Sequence, residues 1–127
     1  MENKSRKNTK PCILKVPIYE IEIEAYTHSE AFEKYYKRAG INISSTGANL
    51  LGYAWDIEDK NGDIRFLLCI PDIYDNKTIL TIVHEVDHIA WMVLNYVGIQ
   101  PTYNEHECHT YLMEHILQEL QKKYYKL

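Results

Sequence analysis

Thr78 to Val97 reads TILTIVHEVDHIAWMVLNYV, twenty residues without glycine or proline. Apolar side chains cover almost every face, interrupted at Thr81, His84, Glu85, Asp87, His88 and Asn95. A helix that is apolar on most faces belongs in the middle of a domain. Asp75 or Asn76 can cap its start, and Gly98 followed by Pro101 ends it. The ionisable residues interrupt it too often for a membrane span.

Within this helix His84-Glu85-Val86-Asp87-His88 sets two imidazoles four residues apart, with a glutamate directly after the first. Helical spacing points both rings to one face. Two such histidines can hold one Zn²⁺, and the glutamate one step round can serve as general base toward water at the metal. Four ionisable residues in five positions of the most apolar helix are otherwise expensive, because an unpaired buried charge costs several kcal/mol. A metal removes that difficulty. Asp87 is either a solvated or helix-capping acid, or an acceptor that fixes the tautomer of a ligand histidine.

A catalytic zinc needs a third protein ligand and an open position. Asn104-Glu105-His106-Glu107-Cys108-His109 packs five potential ligands into six positions and opens a second amphipathic helix, with Leu112, Ile116 and Leu120 as its apolar stripe. Glu107 is favoured because it falls at the edge of the buried face, beside its i+4 neighbour Tyr111, where a carboxylate can turn inward. His109 is the next choice, followed by His106, Glu105 and Cys108.

Eighteen residues separate His88 from Glu107. This spacing, HExxH-x18-E, resembles that of the gluzincin metallopeptidases. Residues 107 to 112, ECHTYL, look like the E-x-x-A-Y-L run that follows HExxH in small metallopeptidase-like proteins of bacteriophages and related mobile elements. The resemblance spans roughly residues 11 to 120, with its specific motifs on the two helices. It implies His84, His88 and Glu107 as Zn²⁺ ligands and Glu85 as general base. Where thermolysin-like enzymes often carry an aspartate four residues after the ligand glutamate, this chain has Tyr111, whose phenol can donate to a carboxylate or an oxyanion. The resemblance also implies a substrate peptide pairing along a sheet edge, on residues 64 to 70 or on the partner strand.

The rest of the chain suits a small α+β domain of zincin type: a short, partly antiparallel sheet against three helices, with the HExxH helix central. Its 127 residues, 46% hydrophobic, fit one domain over residues 11–127. Ile13 to Tyr26 alternates in its second half as a half-exposed strand does. Ser29 opens a short helix that Gly40 stops. Leu50 to Ile57 and Ile64 to Ile70 flank Asp59-Lys60-Asn61-Gly62-Asp63, the signal of a β-hairpin. Residues 1–10 form a basic arm, with Lys4, Arg6, Lys7 and Lys10 against Glu2 alone. It is expected to be disordered and solvated, with docking to an acidic partner as the alternative.

A net charge of −4 argues against nucleic acid as partner. Cys12, Cys69 and Cys108 are odd in number and scattered, which argues for reduced thiols and a cytoplasmic setting. Eleven tyrosines are explained by amphipathic packing, with Tyr103 and Tyr111 flanking the ligand cluster. The expected function is zinc-dependent hydrolysis of peptide bonds. The alternative is a phage or accessory protein that keeps a metal for folding and binds a protein partner.

Overall fold

The computed structural model describes residues 10–27 and 52–127. Among them the chain is α+β: a four-stranded mixed sheet and two α-helices. The helix expected from Ser29 to Gly40 and the basic arm up to residue 9 lie outside the described residues.

Strands β1 (Cys12–Val16) and β2 (Ile21–Tyr26) pair antiparallel, so the single strand expected over residues 13 to 26 is two. Pro17 divides them. It has no N–H to give a ladder and its φ is fixed, so it opens a 3₁₀ turn, Pro17–Tyr19, closed by Glu20 at φ 56 with its N–H on the Pro17 carbonyl. Strands β3 (Tyr53–Glu58) and β4 (Ile64–Cys69) form the expected hairpin. Asp59 Oδ1 accepts from the Asn61 and Asp63 N–H groups at 2.9 and 3.0 Å, and Gly62 takes the left-handed conformation at φ 85.

The strand order is β1-β2-β4-β3, with β2 and β4 parallel. The run expected as a sheet edge, 64 to 70, is therefore interior, and its partner β3 lies at the edge of the described sheet. The sequence of β4 accords with this. Phe66 and Leu68 face the helices, Leu67 and Cys69 belong to a second cluster with Tyr26, Tyr53, Trp55 and Ile57, and all four are buried. On that second face Arg65 makes a bidentate pair with Glu24 at 2.7 and 2.8 Å, tying the parallel strands together.

Helix α1 (Ile79–Val97) lies across the sheet and supplies Ile82, Val86, Ile89, Ala90, Val93 and Leu94 to the core. Both ends carry the expected stops. Asp75 Oδ1 accepts from the N–H groups of Lys77 and Thr78, and the Asp75 N–H returns to Thr78 Oγ1, a reciprocal cap on the turn that leads into the helix. At the other end Gly98 sits at φ 85, its N–H bonds to the Asn95 carbonyl, and the Ile99 N–H reaches the Leu94 carbonyl. These two bonds are a Schellman motif.

Helix α2 (Glu107–Glu119) packs Leu112 and Ile116 on the same core and continues as a π-helical turn, Leu120–Tyr124. His115 Nε2 lies 2.7 Å from the Lys15 carbonyl and joins α2 to β1. Cys12, Cys69 and Cys108 are free thiols. Among the described residues no helix is long and apolar enough to cross a membrane.

Candidate metal centre

The geometry of α1 follows from its register. Burying residues 82, 86, 89, 90 and 93 turns His84 and His88 outward, where both are exposed. Their Nε2 atoms face one another at 3.2 Å, with the rings at 81° and centroids 4.7 Å apart. Two metal–nitrogen bonds of about 2.0–2.1 Å at a tetrahedral angle would set the nitrogens about 3.3 Å apart. The 3.2 Å contact is a ring–ring hydrogen bond between the two imidazoles, and its length is also close to the separation of two corners of a zinc tetrahedron.

Glu85, on the adjoining side of the helix, turns toward the sheet and is 8% exposed, the one buried polar or charged residue among the described residues. Burial raises its pKa above the ordinary carboxylate value, against a smaller lowering by His84 and His88. Cys69 lies within its field: burial, and secondly Glu85, push that thiol up to about 12.

Gly52 makes this nesting possible. A Cβ there would stand 2.6 Å from the Cys69 carbonyl oxygen, 3.2 Å from Glu85 Cγ and 3.3 Å from Thr81 Cγ2. Only a residue without a side chain lets the start of β3 lie against the general-base candidate. A glycine inside the strand expected over Leu50 to Ile57 was the available signal, since glycine in a strand marks close backbone approach.

The third ligand is placed differently. Glu107 is the first residue of α2 and is exposed, and hydrogen bonding to it, followed by its charge, raises the Tyr111 phenol above its ordinary value. The carboxylate expected to turn inward stands instead on the surface, near its i+4 neighbour. Among the described residues no group of three or more His, Cys, Asp or Glu side chains is arranged to hold a metal ion. The structure brings His84 and His88 together with Glu85 on the adjoining side of the helix, and does not bring Glu107 into a ligand group with them.

The α2 residue that does reach the motif is His109. Its ring stacks on Trp91 at 4.5 Å between centroids and 30° between planes. Its Nε2 stands 2.9 Å from Asp87 Oδ1, close enough for an ion pair when the imidazole is protonated, but out of line for a ring N–H hydrogen bond. Asp87 therefore faces α2. Tyr103 is almost wholly exposed. Two surface hollows lie away from the histidine pair. One of about 850 Å³ runs beside Lys15, Glu22, Arg65 and Tyr96, and one of about 490 Å³ lies between Val16–Tyr19 and Tyr111.

No protein-family model matches this chain, and no curated protein or solved structure is significantly similar to it.

Proposed function

We propose that this protein is a zinc-dependent hydrolase of peptide bonds, with His84 and His88 as metal ligands, Glu107 as the third, and Glu85 as general base. The observation that carries the reading is the 3.2 Å separation of two exposed imidazole nitrogens beside a buried carboxylate. Bound there, zinc would supply Lewis-acid polarisation of the scissile carbonyl and lower the pKa of water.

The chain's own groups would do the rest. Glu85, with Gly52 lying against it, has its pKa raised by burial, which would strengthen it as a base able to take a proton from water and return it to a leaving amine. Glu107 would complete the ligand set by leaving Tyr111, and the freed phenol could then donate to substrate. An extended peptide would pair with β3, the edge strand of the described sheet, rather than with the interior β4.

Zinc titration of the purified protein by chelator competition, paired with cleavage of a fluorogenic peptide library, tests this. Glu85→Gln is expected to keep zinc and lose at least about a hundredfold in cleavage, as removal of a general base does. His84→Ala should lose both. Full cleavage by Glu85→Gln would sink the assignment of the base.

A second reading, a metal-stabilised protein that binds a protein partner, is favoured by one feature: Glu107 and Tyr111 are exposed, and among the described residues Glu107 joins no metal-holding group with the histidines. In that case zinc raises the melting temperature and no peptide is cut.

A further inference from the structure

The exposed face of α1 carries no charge. Among its exposed residues none is Asp, Glu, Lys or Arg, and the helix has no lysine or arginine at all. Its two acids are turned elsewhere: Glu85 is buried toward the sheet, and Asp87 meets His109 of α2. The outward side of a helix packed on a core ordinarily holds its charged residues. Here that side is one line, Leu80, His84, His88, Trp91 and Asn95, in steps of four, four, three and four residues. Leu80 is 75% exposed and Trp91 45%. The first lies a turn before the histidines and the second a turn after them, so apolar surface flanks the pair at both ends.

The pair itself is half a ligand set. Zinc in a structural site takes four protein donors in a tetrahedron. His84 and His88 present two nitrogens outward, 3.2 Å apart. Among the described residues no third His, Cys, Asp or Glu side chain is grouped with them.

We infer that His84 and His88 are one half of a zinc site shared between two copies of this chain, with four imidazoles on one ion at a twofold axis. The inference rests on the second reading above, a metal-stabilised protein with a protein partner, and names that partner as another copy. A twofold interface sets the same patch of both copies face to face, so a charge near the axis meets its own like charge. The uncharged line on α1 avoids that penalty. With the two helices antiparallel across the axis, Leu80 of one copy comes to Trp91 of the other, and apolar contact closes over the metal on both sides. Glu107 has no part in the site. Four imidazoles leave no open position, so bridging and hydrolysis are alternative uses of the same pair.

The experiment is sedimentation equilibrium of the full chain with Zn²⁺ added stepwise, paired with metal analysis and the visible spectrum of the Co²⁺-loaded protein. Zinc should convert a species of one chain to one of two, saturating at one ion per two chains, and a chelator should reverse it. The Co²⁺ spectrum should be that of a tetrahedral site. His84→Ala and His88→Ala should each abolish the conversion. Leu80→Glu sets a charge on the shared face without touching the core, and should raise the protein concentration needed for the dimer about tenfold or more. Glu107→Ala should dimerise with zinc like the parent.

Zinc bound at one ion per single chain overturns the inference. If Glu107→Ala then loses that zinc, the three-ligand site is correct. If it does not, and zinc still raises the melting temperature, the metal-stabilised reading stands without the bridge. A dimer that forms equally in chelator and in His84→Ala removes the metal from the interface and overturns the inference as well. No zinc bound at any protein concentration defeats the reading and the inference together.

Discussion

The two helices carry the two halves of the candidate site in opposite ways. Helix α1 is led in by a turn closed through Asp75 and Thr78, ends in a Schellman motif at Gly98, buries six apolar residues, and thereby holds its two histidines at a defined separation. Helix α2 buries two residues within its α-helical part, has no side-chain cap, and leaves its ligand candidate on the surface beside Tyr111. Residues projecting from a helix locked into the core inherit their geometry from packing. Residues on an uncapped first turn take theirs from whatever they meet.

The largest expected effect strikes the buried half. Ile89 is fully buried in α1, and Ile89→Ala should cost about 2–5 kcal/mol in urea unfolding, the ordinary range for emptying such a site. A cost below about 1 kcal/mol would mean that α1 is less firmly seated than its burial implies. Gly52→Ala comes next. Its Cβ would collide with the Cys69 carbonyl at 2.6 Å, a backbone atom that cannot swing away, so about 1–3 kcal/mol should be lost and β3 displaced from Glu85. An unchanged melting curve would show that β3 is free to move.

Glu85 gives a smaller, pH-signed effect in the metal-free protein. Its folded-state pKa is raised, so the neutral form is favoured by folding. The contribution it makes to stability is present below the ordinary carboxylate value and lost as pH rises through the raised one. Glu85→Gln, which mimics the neutral form, should therefore stabilise the metal-free protein at pH 7 and have little effect at pH 4. Equal effects at both values, by thermal melting, would contradict a charge held in a desolvated place.

The smallest effect belongs to α2. Tyr111 is exposed, and Tyr111→Phe removes its hydroxyl from beside Glu107 without touching the core. Stability should be unchanged within error, and zinc affinity should rise slightly as Glu107 is released. A marked loss of affinity would show that the phenol orients the carboxylate toward the metal.

Much of this was open to inspection in the sequence because it is local. The bounds of α1 follow from Asp75 and Gly98, the β3–β4 turn from Asp59 and Gly62, and the convergence of His84 and His88 from a spacing of four on a helix. Each depends on residues within one or two turns of one another. Pro17 had the same local character, and its division of one expected strand into a hairpin follows from a missing N–H and a fixed φ.

The long-range pairings were decided only by the tertiary structure. That β4 runs parallel to β2 and interior to the sheet, that Gly52 lies against Glu85, and that His109 rather than Glu107 meets the motif helix all join segments separated by tens of residues. A spacing of eighteen residues constrains contour length, not direction. The sequence by itself determined a histidine pair on one face of a core-packed helix, because periodicity and caps act within a helix. Which side chain of the next helix meets the motif helix, His109 against Asp87 and Trp91, was settled by how the two helices pack on one core.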